Sequence, residues 1–378
     1  MEGSVDRRTF TMGLGALVGL LSLDHHPALA APLLSSETQG QASPDEVLKL
    51  VDPELREAAR QVIRYPFPVE GKFDINLLLR GRAVMTPKPP LAAPEVRKKV
   101  VPGSPGQPDV TLYIVNPSAG EPRPVIVHTH GGGFVVGSAA GDLTSLQSQA
   151  LALNCVIVTV DYRLPPEAPF PKPLDDFYAG LIWTYKNCAT FGGDRTRIAV
   201  QGGSAGGGLA AMLALMARDR GEVPLVHQSL IYPMLDDRTG AKLLPFPIGR
   251  FAWTGPVNQA AWTAFLGQPA GGNTVPKGSV PARAENLKGL PDTFIGVGAI
   301  DLFVLEDIEY GRRLIEAAVS ARIEVVPGAF HGFDGAAPRS NVAKRFRNAQ
   351  YTALARAFGT PFSESSDDSQ QSPHPAAG

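Results

Sequence analysis

Between positions 110 and 326 the chain alternates between short runs of β-branched and aliphatic residues and longer amphipathic stretches. The runs are Val110–Val115, Val125–Thr129, Val156–Asp161, Ile198–Gln201, Gln228–Tyr232, Phe294–Gly298 and Ile323–Val326. Helical spacing recurs near 174–186, 205–219, 305–319 and 340–357; after residue 204, for example, Leu209, Met212, Leu213 and Met216 fall on one helix face. Strands that are apolar along their whole length have both faces buried. Separated by helices, they predict an α/β fold with a mostly parallel sheet covered by helices on both sides.

Upstream, residues 43–79 read as helical. Ser43-Pro44-Asp45-Glu46 supplies an N-cap, a proline at N1 and an acidic first turn. Residues 80–95 are Pro-rich and read as a connector. One stretch breaks the alternation: residues 236–290 are rich in Gly and Pro and carry Phe246, Phe251, Trp253, Trp262 and Phe265. That is too long for a simple connection in a compact domain, so an insertion with its own helices is expected. It reads as a lid over a pocket, with peripheral packing as the alternative.

The two ends read as lying outside the fold. Arg7-Arg8-Thr9-Phe10 precedes an uncharged run from Met12 to Leu23, and Ala28-Leu29-Ala30 supplies a small-x-small cleavage pattern. The run is too short to cross a bilayer, which takes ~20 residues. Paired arginines before a Gly-rich, mildly hydrophobic run resemble a twin-arginine export signal, with a Sec signal or an uncleaved anchor as alternatives. No stable membrane insertion is expected once the signal is removed. From Ser363 onward the chain is Ser/Asp/Gln/Pro-rich and lacks the apolar side chains needed to order it. The expected organisation is a signal over 1–30, an N-terminal segment and connector over 31–95, a main domain over 96–360 and a tail over 361–378.

Composition narrows the function. With 44% hydrophobic and 19% charged residues and a net charge of −1, the chain is ordinarily globular and carries no field to attract nucleic acid. Two cysteines, Cys155 and Cys188, are too few for a disulfide framework or a zinc site. A bridge between them stays open. No metal or cofactor is expected.

The chemistry lies in two glycine-rich turns. Gly202-Gly203-Ser204-Ala205-Gly206 is G-x-S-x-G placed between a strand and a helix, where small neighbours tolerate a sharp turn and the helix N-terminus favours negative charge near the serine. No lysine follows, as a phosphate-binding loop would want. His130-Gly131-Gly132-Gly133 ends the run Val125–Thr129, and its backbone N–H groups, with that of Ala205, could hold an oxyanion. A serine nucleophile needs a base. Of the histidines, His25 and His26 fall in the leader, His374 in the tail, His128 and His227 in or beside strands, and His130 in the glycine loop. That leaves His331, in a loop after the last strand. Asp301 ends the preceding run, where it could orient His331 or simply cap the following helix; Glu306 and Asp307 are rivals.

His-Gly-Gly-Gly ahead of G-x-S-A-G, together with Asp161-Tyr162-Arg163-Leu164-Pro165-Pro166-Glu167 and Phe170-Pro171, resembles the hormone-sensitive-lipase family of α/β-hydrolases, the bacterial family IV esterases. The resemblance covers roughly residues 95–358. It implies a serine carboxylesterase acting on short- to medium-chain acyl esters, with Ser204, Asp301 and His331 catalytic and Gly132, Gly133 and Ala205 forming the oxyanion hole. It also implies that His130, Asp161, Arg163 and Glu167 brace the glycine loop, and that the N-terminal helices and the insertion form a cap. Pro165 replaces the family's usual Ala, and Gly203 replaces the acidic residue that commonly precedes the serine. An amidase or lactonase on the same machinery, or a non-catalytic ligand-binding protein of this fold, are the other readings. The expected partner is a small-molecule ester; a homodimer stays open.

Overall fold

A computed structural model describes residues 44–64 and 67–362. The expected leader, the Ser43 cap and the tail from Ser363 lie outside these residues. The sheet has eight strands in the order β1-β2-β4-β3-β5-β6-β7-β8. These are β1 (Val96–Val101), β2 (Val110–Val115), β3 (Arg123–Thr129), β4 (Val156–Asp161), β5 (Gly193–Gly203), β6 (His227–Ile231), β7 (Asp292–Gly298) and β8 (Ala321–Val326). β2 runs antiparallel to both β1 and β4, and all other neighbours are parallel.

Helices cover both faces, as the apolar strands require. On one face Val125, Val127, Val158, Ile198 and Val200 meet α5 (Lys172–Asn187) and α6 (Ala205–Arg220). On the other, Ile126, Ile157 and Ala199 meet α4 (Leu143–Ala152) and α10 (Asn341–Phe358). α8 (Val304–Glu316) packs on β7 and β8 through Gly311, where a Cβ would come within 2.3 Å of Ile323. The short α9 (Phe333–Ala336) precedes α10.

Three elements differ from the sequence expectations. β1 was not anticipated, because Val96-Arg-Lys-Lys-Val-Val shows little hydrophobic alternation. It is an edge strand with exposed Arg97, Lys98 and Lys99, charges that discourage further pairing. α4 was also missed: its buried face includes Gln147 and Gln149, which break the apolar pattern. The helical reading of 43–79 is interrupted. α1 (Pro44–Leu50) ends before Asp52-Pro53, a 3-10 turn over Pro53–Leu55 leads into α2 (Arg56–Ile63), and 67–75 is not helical. α3 (Asn76–Val84) then extends into the expected connector.

The 236–290 stretch contains α7 (Gly255–Leu266) and a 3-10 turn over Pro281–Arg283. Its base is tied by Arg283, which donates to both oxygens of fully buried Asp237 at 2.7 and 2.8 Å. Cys155 and Cys188 are free, buried thiols, and burial pushes Cys155 up to about 12, so it stays protonated. Among the described residues no helix is long and apolar enough to cross a membrane.

Candidate active site

The parallel strands end at one edge of the sheet, and there three distant side chains meet. Ser204 occupies the one-residue turn between β5 and α6, at φ 57° and ψ −124°. That conformation is strained for a non-glycine residue and leaves room only for small neighbours. At Gly206 an added Cβ would lie 2.3 Å from the Thr129 carbonyl oxygen at the end of β3. The turn is therefore pressed against the strand that leads into the second glycine loop.

His331 comes from the loop between β8 and α9, and its Nε2 accepts from Ser204 Oγ at 3.0 Å. Its Nδ1–H donates to Asp301 Oδ2 at 2.8 Å. Asp301, just beyond β7, uses its other oxygen to accept the N–H of Phe303 at 3.0 Å. Of the two roles raised by the sequence, Asp301 takes the orienting one; it does not cap α8, whose N-cap is Phe303 with no side-chain cap bond. All three side chains are buried, with Ser204 and His331 each 6% exposed. The imidazole is enclosed by aromatic rings: Tyr232 at 4.7 Å, Phe303 at 5.1 Å and Trp253 at 6.3 Å between centroids.

The rival acids lie elsewhere. Glu306 Oε1 accepts the N–H groups of Leu235 and Asp236, and Asp307 is wholly buried. Burial pushes both carboxyls well above the usual carboxylate range.

Gly132 and Gly133 have φ of 116° and 58°, backbone that glycine adopts readily. Ala205 is the first residue of α6, so its N–H has no intrahelical acceptor. The loop is held from several sides. Tyr162 Oη–H donates to the His130 carbonyl at 3.0 Å and stacks on its ring. Asp161 accepts the N–H of Ala139, while Arg163 makes a bidentate pair with Asp176 rather than touching the loop. Glu167 pairs with Arg82 of α3, and Arg82 also donates to the Val135 carbonyl beside the glycines. Sequence reading did not find Arg82, Tyr232, Phe303 or Trp253 as parts of the site; of these, Trp253 had drawn notice only as one of the insertion's aromatics and Tyr232 only as the end of an apolar run. Among the described residues no group of three or more His, Cys, Asp or Glu is placed to hold a metal ion.

The sequence pattern of the alpha/beta hydrolase fold matches residues 126–335, more than half of the chain. The chain belongs to the alpha/beta hydrolase fold family. Carboxylesterase NlhH of Mycobacterium tuberculosis is 34% identical to this alpha/beta hydrolase over 263 residues, covering 67% of it and 81% of NlhH. Human hormone-sensitive lipase is 40% identical over 112 residues, 30% of this chain and 10% of the lipase. A solved bacterial heroin esterase superimposes with a TM-score of 0.73 at 32% identity, over 82% of this chain and 99% of that one. Within the family, these relatives place this alpha/beta hydrolase with the hormone-sensitive-lipase group its motifs resemble.

Among the described residues, the histidines outside the catalytic line, His128, His130 and His227, are buried. His227 of β6 is buried with neither ring nitrogen hydrogen-bonded, and burial lowers it to about 4. The unfolded chain takes up that proton near ~6.5, so native stability is lost as pH falls from there through the folded value. His227→Leu removes this linkage. The variant's unfolding free energy in urea should gain about 3 kcal/mol on the parent between about pH 7 and about pH 4. A gap that stays constant with pH would refute the assignment.

Proposed function

We propose that this protein is a serine carboxylesterase that hydrolyses short- to medium-chain acyl esters through an acyl-enzyme on Ser204. The observation that carries this is the continuous line Ser204 Oγ, His331 and Asp301, hydrogen-bonded at 3.0 and 2.8 Å. Ser204 Oγ attacks the ester carbonyl while its proton passes to His331 Nε2, and Asp301 stabilises the resulting imidazolium. The carbonyl oxygen, now an oxyanion, takes hydrogen bonds from the N–H groups of Gly132, Gly133 and Ala205. The C–O bond breaks, His331 returns the proton to the leaving alcohol, and water repeats the sequence to release the acid. The carboxylesterase and esterase relatives support this reading.

Modest acyl length is supported by the wall over the glycine loop. Trp253 is fully buried and sits so close that a Cβ on Gly133 would lie 2.4 Å from its Cη2. Gly133→Ala, which forces a side chain into that contact at φ 58°, should displace one donor and lower kcat by about 10²–10³. Near-native kcat in that variant would remove Gly133 from the oxyanion hole.

The deciding experiment is a panel of nitrophenyl esters of increasing acyl length, run beside labelling with a fluorophosphonate probe. Turnover that falls with chain length, and labelling abolished by Ser204→Ala, are expected. Absence of both would favour a ligand-binding protein, and faster turnover of anilides or lactones would favour the amidase or lactonase reading. We also propose export by the twin-arginine route, on the strength of Arg7-Arg8 and the apolar run that follows. Fractionation of cells carrying Arg7→Lys/Arg8→Lys tests this: the protein should then stay in the cytoplasm.

A further inference from the structure

The segment that follows β6 touches both reacting side chains' supports. The Ile231 carbonyl accepts the Ser204 N–H at 2.8 Å, and the Met234 N–H donates to the Ser204 carbonyl at 3.0 Å. Both backbone groups of the serine are therefore held by residues 231–234. Between these two contacts lies Tyr232, fully buried, with a φ of 35° that a bulky residue adopts only when its surroundings impose it. Its own N–H donates to the Gly296 carbonyl of β7 at 2.6 Å. Its hydroxyl reaches across the site to donate to Asp334 Oδ1 at 2.8 Å, and its ring meets the His331 imidazole at 66° with 4.7 Å between centroids. Asp334 is itself buried and lies three residues past His331, just beyond Gly332 at φ 75°.

We infer that Tyr232 and Asp334 are a pair of positioning residues that fix the base's loop to the nucleophile's turn, setting the Ser204–His331 separation. The inference rests on the proposed roles of Ser204 and His331. A glycine at φ 75° directly follows the base, and among the described residues no other hydrogen bond links α9 to the strand ends beside Ser204. The phenol bond supplies that link. The same segment grips Ser204 through its backbone, so movement of the elbow and of the base stays correlated. A tyrosine that merely filled the core could leave its hydroxyl toward any acceptor; this one selects the carboxylate that follows the catalytic loop.

Three variants test the pair on nitrophenyl butyrate. Tyr232→Phe keeps the ring against His331 and loses the phenol bond, Asp334→Ala removes its acceptor, and Asp334→Asn retains an acceptor oxygen. Tyr232→Phe and Asp334→Ala should each lower kcat on the order of tenfold, inside the hundredfold loss an ångström of misplacement can cause, with KM unchanged. The double variant should fall no further than the worse single one, because both remove the same interaction. Asp334→Asn should turn over as the parent does. Thermal melts run alongside separate this from a purely structural role, which would lower Tm and leave kcat at 25 °C intact. That result, or additive losses in the double variant, overturns the inference. A parent protein that neither turns over ester nor takes the fluorophosphonate label would instead refute the proposed function itself.

Discussion

Ser204→Ala is expected to lower turnover of a nitrophenyl ester by on the order of 10⁶ while leaving the fold intact. The size follows from what the hydroxyl supplies. In the proposed mechanism, removing Oγ removes the acyl-enzyme, and the reaction falls back on water attacking an ester held by the glycine loop, a residual catalysis of about 10³–10⁴ over solution. The fold should survive because alanine adds no atom at φ 57°, and the three backbone hydrogen bonds of residue 204 remain available. Three measurements check it: steady-state turnover, loss of any pre-steady-state burst, and loss of fluorophosphonate label with an unchanged melting temperature. Turnover near that of the parent would sink the nucleophile assignment.

Asp301→Asn should cost about 10⁴ in kcat, through the tautomer of the base rather than through shape. An asparagine can keep its carbonyl oxygen on the Phe303 N–H, as Asp301 Oδ1 does now at 3.0 Å. That turns its NH₂ toward His331 Nδ1, the atom whose proton now goes to Oδ2 at 2.8 Å. Nδ1 must then accept, the proton moves to Nε2, and Ser204 Oγ faces a donor where it needs an acceptor. Glu306→Gln is the control. That side chain accepts two backbone N–H groups through Oε1, which an amide oxygen can also do, and makes no bond to His331, so the replacement should leave kcat within a few-fold. Equal losses in the two variants would mean that acidity in the region matters, and not the bond to His331.

The sequence made some parts of this molecule legible and hid others for physical reasons. Val125–Thr129 and Val156–Asp161 were readable as strands because burial on both faces demands apolar residues throughout. β1 was hidden because an edge strand need bury little, and its lysines are there to repel partners. α4 was hidden because Gln147 and Gln149 occupy its buried face. They are satisfied by the carbonyls of Leu91 and Pro94 and by Gln201, none of which local spacing reveals. The break after α1 could have been read from Asp52-Pro53, since a proline disfavours helix in the residue before it.

In the site, Ser204 and the glycine loop were legible because each needs an unusual backbone that glycines advertise. His331 emerged by elimination among few histidines. Asp301 was one of three acids by sequence, and what separates it from Glu306 and Asp307 is where the end of β7 points. Tyr232 and Asp334 gave no signal at all. A tyrosine after a strand and an aspartate in a short helix are common, and only the folding of the segment after β8 back beside the end of β6 brings them together. Trp253 was noticed as an aromatic in the insertion, but its contact with Gly133 depends on how that insertion folds back.

Arg82 carries a consequence for anyone who would shorten this chain. The stretch matched by the family pattern, 126–335, begins after β1 and β2 and stops before α10. Yet Arg82 donates to the Val135 carbonyl at 3.3 Å, and Val342, Phe346 and Leu354 of α10 lie in the core. The portion matched by the family pattern is therefore smaller than the portion that must fold together. A fragment cut to the matched limits would expose β4 as a raw edge and lose cooperativity before it lost its signature motifs.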